Sequence, residues 1–226
     1  FIGAAIRGLA LTEPDLAIAE LESIPIERRK NYTGRFVDSL IRTTGLDGTE
    51  TLLGGMIQRA AAAGHLKDDY LVNVFWDLAQ ARIQQAQLSG QAAGLADWMN
   101  KYVGQPFVHP AVVGSVAAGY VGLDPQGAWQ WLEAYNQKNM AAGQPTTVGY
   151  DALMAAWTQK EGIAVVGEKL GQLTARPYYD RMAQRYAEIV APQDLAAAAR
   201  WVGSIKDPVI KAEATDFIAK LPKKKG

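Results

Sequence analysis

The twelve residues "DLAAAARWVGSI", 194–205, decide how this chain is read. Counting from Asp194, the apolar positions Ala198, Trp201, Val202 and Ile205 recur at helical spacing and share one face. Asp194 itself is a residue type that caps helix N-termini. The same frame fits "DPQGAWQWLEAY", 124–135, where Ala128, Trp131, Leu132 and Tyr135 take the four places. It fits "EPDLAIAELESI", 13–24, with Ala17, Leu21 and Ile24 in register and Glu20 where the Trp should stand. Looser copies run from Gln91 (Leu95, Trp98, Met99, Tyr102), from Thr49 (Leu53, Met56, Ile57, Ala60) and from Gly162 (Val166, Leu170, Leu173).

The copies therefore begin at 13, 49, 91, 124, 162 and 194, and each is preceded by a second helical stretch. Self-similarity at a nearly fixed period marks stacked helix pairs, because a lone pair cannot bury its apolar face. The stretch after the first copy, "SIPIERRKNYTGRF", aligns with "SIKDPVIKAEATDF" after the last and brings Phe36 onto Phe217. The expected fold is all-α: a right-handed α-solenoid of about six helix pairs, with residues 1–226 forming one repeat domain.

Helix formers fill the segments between Gly, Pro and Asn/Asp breaks, and nothing alternates long enough to argue a strand. Helices are predicted over 3–10, 13–23, 27–44, 48–62, 67–88, 91–102, 110–121, 125–137, 147–159, 161–172, 177–190, 193–204 and 208–220. Polar residues followed by Pro mark three starts, at Pro14, Pro125 and Pro208. Gly45, Gly64, Gly90, Gly104 and Gly122 mark stops. The long connections are "VGQPFVH", 103–109, and "NQKNMAAGQPTTVG", 136–149.

The string "AARWVGSIKDP", 198–208, resembles divergent bacterial helical repeats whose units read A-x-x-W-x-x-S-[IL]-x-D-P, within the wider class of tetratricopeptide-like and HEAT-like solenoids. The resemblance spans most of the chain and is tight only in the last unit. The repeat length departs from a strict 34 residues, and the tetratricopeptide Trp-Leu-Gly-Tyr string is missing. What the resemblance implies is a binding scaffold without catalysis, taking a protein or peptide partner; it carries no site residue onto this chain.

Composition narrows the function further. Twenty-three basic side chains balance 23 acidic ones. Nucleic-acid binders draw their affinity largely from neutralising phosphates, so this balance argues against DNA and RNA. The apolar run 103–123 is interrupted by Gln105, Pro106, His109 and Pro110, which suits a buried helix and not membrane insertion. There is no cysteine, so disulfides, thiolate metal sites and Cys nucleophiles are excluded. The chain opens on Phe1 without an initiator Met, as a trimmed part of a longer protein or the mature form of an exported one would, and the compartment stays open.

Candidate chemistry is sparse. His65 and His109 are 44 residues apart and show no metal-ligand spacing. Asp68 and Asp69 suggest a diphosphate-metal motif, but Val72 stands where the third carboxylate belongs; helix opening is the better reading. Ser115 sits in a helical G-S-x-x-x-G and not in a nucleophile elbow. "RRK", 28–30, reads as a solvated face and "KKK", 223–225, as a tail. No catalytic, metal or cofactor residues are assigned. The alternative to a scaffold is a helical enzyme using dispersed carboxylates. Trp129 is the one residue that points to binding. It lies two residues from Trp131 and so about 200° round the helix, beside Gln126, Gln130 and Glu133. These four residues form the candidate partner surface, with Trp129 placed at its boundary either covering a neighbouring repeat or partly exposed as an anchor.

Overall fold

A computed structural model describes residues 1–143, 148–176 and 178–221. Among these the fold is all-helical: α1 (Ile2–Ala10), α2 (Pro14–Ser23), α3 (Ile26–Arg29), α4 (Phe36–Ala63), α5 (Asp69–Ser89), α6 (Ala92–Asn100), α7 (Pro110–Leu123), α8 (Pro125–Ala141), α9 (Tyr150–Glu161), α10 (Ile163–Gly171), α11 (Tyr179–Val190), α12 (Leu195–Ser204) and α13 (Pro208–Ala219). The "KKK" tail and part of the 136–149 connection lie outside the described residues. The helices gather into two compact units, Phe1–Val112 and Val113–Gly226.

In the first unit α1 packs on α2 and α4, α2 on α4, α4 on α5, and α5 on α6. Its core runs from Ile6, Leu21 and Phe36 through Leu53, Met56 and Leu71 to Phe75, Leu78 and Met99. In the second unit α8 packs on α9, α9 on α10 and α11, and α11 on α12 and α13. Its core holds Leu132, Tyr135, Leu153, Met154, Val166, Leu170, Met182 and Ala183. Within each unit most contacts join helices one or two positions apart along the chain, and α1 on α4 reaches three.

The starts at 13, 91, 124, 162 and 194 are N-cap residues, of α2, α6, α8, α10 and α12. Asp124 (φ −142°, ψ 97°) and Asp194 (φ −144°, ψ 93°) share one extended conformation. Each carboxylate accepts from the amide three residues on, Gly127 at 2.9 Å and Ala197 at 2.8 Å. A side-chain oxygen that takes up an orphan first-turn N–H fixes where a helix begins. Asp207 repeats the device on Val209 and Ile210, just before Pro208.

The start expected at Thr49 is one turn late. Two predicted helices, 27–44 and 48–62, meet inside α4 at a kink on Gly45 (φ 71°, ψ 177°). Gly162, which joins α9 to α10, takes nearly the same conformation (φ 85°, ψ 157°). Such dihedrals are open to glycine and strained for other residues. Counted from Gly45, the positions i+4, i+8 and i+11 are Thr49, Leu53 and Met56, all buried. Thr49 hydroxyl donates to the Gly45 carbonyl at 2.8 Å, so a polar residue can occupy the core side of this turn.

The pairing of Phe36 with Phe217 is also corrected. Phe36 is fully buried at the start of α4, whereas Phe217 is 39% exposed near the end of α13. The two stretches fold differently, because α13 starts three residues after Ile205 while the first copy runs into the short α3 and a 3₁₀ turn at Lys30–Tyr32. Nor is "RRK" a wholly solvated face. Arg29 donates to the carbonyls of Ile24 and Glu22 and lies 5.2 Å from the Tyr70 ring centroid. It thereby satisfies backbone acceptors at the end of α2.

Candidate functional site

The residues singled out in α8 are not together on a surface. Trp129 is only 7% exposed. Its indole packs against Tyr178 (centroids 5.3 Å, edge-on), Trp157 (5.7 Å) and Tyr150 (6.0 Å), and Tyr150 stacks on Tyr178 at 4.6 Å. The partly exposed anchor is therefore corrected to a core residue. Trp131, on the other side of α8, is equally buried against Tyr120 and Tyr135. The helix has two apolar faces. Asn136 adds to the second one: its side chain bonds Val148 through both O and N, at 3.1 and 3.0 Å, and ties α8 to the start of α9. Gly149 (φ 87°) lies so close to Gly114 that a Cβ would come within 3.4 Å of its backbone.

Gln126 and Gln130 are exposed, and Glu133 is half-buried in an ion pair with Arg176 at 2.9 Å. Burial raises the Tyr178 phenol well above its ordinary value, and Glu133 adds to the rise. Tyr150 is raised in the same way, by burial first and then by Tyr178 and Glu133. Glu133 stands beside the Tyr178 hydroxyl, and Asn136 beside that of Tyr150. Two phenols held neutral near pH 7 in an aromatic core give this cluster packing energy.

A different site forms where α4, α5 and α6 meet. The Gly45 kink starts a new helical turn that carries Asp47 and Glu50. From α5, Arg82 places Nη2 at 2.6 Å from both Asp47 Oδ1 and Glu50 Oε2, and Nη1 at 3.3 Å from Gln85 Oε1. Glu50 also accepts from Lys101 Nζ and the Tyr102 hydroxyl, each at 3.0 Å. Burial by itself would raise this carboxyl, but hydrogen bonds from Lys101, Arg82 and Tyr102 outweigh it and hold the pKa below the usual carboxylate value. Trp98 stacks on Phe75 at 5.5 Å and meets Tyr102 edge-on at 5.4 Å, which fixes the floor of the site.

Asp47, Arg82, Gln85, Ser89, Gln91, Gly94 and Trp98 line a cleft of about 260 Å³. Two of its residues carry buried N–H groups without an acceptor among the described residues: Arg82 Nε and Trp98 Nε1. An unpaired buried donor costs free energy, so such groups call for an explanation. Gln91 does not cap α6 with its side chain, and the space above Gly94 is open. The first turn of a helix is itself a source of donors. The arrangement is rich in donors and suits a ligand that brings acceptor oxygens.

Sequence reasoning passed over this cleft, since Asp47, Arg82 and Trp98 are far apart in the chain. One signal was present: Arg82 stands on the apolar stripe Leu78, Ala79, Ile83, Ala86 of α5, where a cation needs buried partners. The other candidates serve local structure. Asp68 and Asp69 open α5, with Asp69 paired to Lys30 at 2.8 Å. His65 Nδ1 lies 3.2 Å from Asp68 Oδ2, and His109 Nδ1 accepts from the Ala111 amide at 3.2 Å. Among the described residues no cluster of three or more His, Cys, Asp or Glu is placed to hold a metal, and no helix is long and apolar enough to cross a membrane. No protein-family description, no curated protein and no solved structure matches this chain.

Proposed function

We infer that this chain is a noncatalytic scaffold, a right-handed α-solenoid of about six helix pairs, which binds a protein or peptide. The observation that carries the reading is the recurring joint between paired helices. Glu13, Gln91, Asp124 and Asp194 each cap the second helix of a pair with φ between −98° and −144° and ψ between 72° and 97°. Gly45 and Gly162 supply the remaining two joints. The pairs are then α1 with α2, the two halves of α4, α5 with α6, α7 with α8, α9 with α10, and α11 with α12. Stacked pairs leave a continuous surface of loops and helix faces, the kind of surface on which solenoids take their partners.

Two experiments test this. The absence of native cysteine permits clean spin labelling of Leu16→Cys in α2 and Leu195→Cys in α12, both exposed sites. Pairs stacked at helix spacings of roughly 9 Å should separate the labels by more than about 30 Å. A separation below about 20 Å would reject the solenoid. For function, selection of a random peptide library on the full-length chain should yield peptides that, once synthesised, bind saturably and are returned unchanged. Chemical turnover of bound peptides, or no saturable binder, would reject the noncatalytic scaffold.

A further inference from the structure

The polar cleft does not stand alone on α5. Directly beside it runs a shallow apolar groove of about 460 Å³, lined by Ile41, Leu46, Ala81, Gln84, Gln85, Leu88 and Ser89. Gln85 and Ser89 line both depressions. Leu88, on the rim of this groove, is 84% exposed. A donor-rich cleft and an apolar shelf thus share one edge.

We propose that this surface binds the C-terminus of a partner peptide, the terminal carboxylate in the cleft and the aliphatic side chain of the last residue on the shelf. The identification deepens the scaffold reading and rests on it. Three observations converge on a carboxylate. Arg82 has committed its Nη groups to Asp47, Glu50 and Gln85 and has Nε–H left over. Trp98 is 96% withdrawn from solvent (4% exposed), its aromatic contacts hold the ring, and its indole N–H has no acceptor among the described residues. Gln91 and Gly94 bring the uncapped, electropositive start of α6 to the same cleft. Hydrogen bonds from such donors are strongest to an ionised acceptor.

The neighbouring charges permit this. Asp47 and Glu50 are offset by Arg82 and Lys101, so the site is locally neutral and an added anion meets no net repulsion. Asp47 holds Arg82 from a side chain that is 93% exposed, so it can give way at little cost. The shared Gln85–Ser89 edge decides between a terminal and a side-chain carboxylate. Only in a terminal residue do the carboxylate and the apolar side chain spring from one Cα, close enough to reach both depressions across that edge.

The test uses the full chain and acetyl-Ala-Gly-Ala-Leu as the free acid. Its controls are the same peptide as the C-terminal amide and acetyl-Ala-Leu-Glu-Ala-amide, which offers a side-chain carboxylate. Affinity is read by isothermal titration calorimetry for every variant, and in the parent chain also by the Trp98 indole N–H resonance, one of six indole signals, assigned through Trp98→Phe. The free acid should move that signal saturably, with both amides at least about tenfold weaker. Trp98→Phe keeps the ring stack and removes the donor; Arg82→Lys keeps a cation for Asp47 and Glu50 and removes Nε–H. Each should weaken the acid by about tenfold while far-ultraviolet circular dichroism stays unchanged. Leu88→Ala, at an exposed site, should weaken it severalfold without touching the fold. Equal affinity for acid and terminal amide would overturn the proposal, and so would a side-chain acid that binds as well as the terminal one. A library peptide that binds without moving Trp98 would remove this site and leave the scaffold reading intact. Failure of every peptide to bind would remove both.

Discussion

Replacing Trp129 by Ala separates a core residue from a surface anchor. The indole is 7% exposed and touches three aromatic rings, Tyr150, Trp157 and Tyr178. A tryptophan buries roughly 200 Å² on folding, which at about 25 cal/mol per Å² is worth ~5 kcal/mol. Alanine keeps part of this. The cavity left among rigid rings adds a further term, because Tyr150 and Tyr178 are stacked on each other and cannot collapse freely. The expected cost is ~3–5 kcal/mol. Trp201 in α12, which stands in register with Trp131, is only partly buried and among the described residues has one ring neighbour, Tyr186 at 4.8 Å. Its replacement should cost less, ~1–2 kcal/mol, below the figure expected for a fully buried indole. Urea unfolding of both variants, followed by circular dichroism, measures the difference. Equal losses, or a Trp129→Ala loss below ~1 kcal/mol with unchanged denaturant slope, would refute the placement of this ring.

Three further outcomes follow from local geometry. Asp77 is pushed up to about 6, by burial first and then by the charge of Asp38; since this lies above the roughly 3.9 of an unfolded chain, its stabilising contribution is full below about pH 4 and is lost as pH rises through about 6. Asp77→Asn should therefore gain ~1–2 kcal/mol at pH 7 and nothing at pH 4, and an equal gain at both would count against the buried charge. A Cβ on Gly167 would collide with the Tyr186 hydroxyl, which donates to the Ile163 carbonyl at 2.6 Å; Gly167→Ala should cost ~1–3 kcal/mol, and Tyr186→Phe in the same chain should recover part of it in a double-mutant cycle. Asp180 accepts from the amides of Lys206 (3.1 Å) and Asp207 (2.8 Å), locking the α12–α13 turn onto α11; Asp180→Ala should cost ~1–2 kcal/mol and speed amide exchange at 206 and 207, and unchanged exchange would refute the lock.

Much of this architecture could be read from local pattern. Helix starts at Pro14, Pro125 and Pro208 were legible because capping and proline geometry act within four residues. The Asp124 and Asp194 caps were legible for the same reason, and so was the burial of Ala128, Leu132, Ala198 and Val202. A 3.6-residue period shows one buried face directly. The kink at Gly45 was half legible: the glycine read as a stop, but the chain resumes its helix at once and shifts the next turn by four residues. The break before α4 was missed, since nothing in "RKNYTGRF" lacks helix-compatible residues apart from Gly34, yet Arg35 adopts a left-handed conformation (φ 59°).

What the sequence determined by itself was the set of helices, their period and their caps, because those depend on backbone hydrogen bonds and apolar spacing within one or two turns. What only the tertiary structure decided was which polar and aromatic groups meet. A single period reveals one buried face, but α8 is covered on two sides, so Trp129 and Trp131 are both core though they point apart. The cleft is likewise a product of packing. Arg82 meets Asp47 across 35 residues, and Lys101 meets Glu50 across 51. No local spacing encodes those distances; they arise when the apolar stripes of α4, α5 and α6 close on one another and carry the polar residues at their edges into contact.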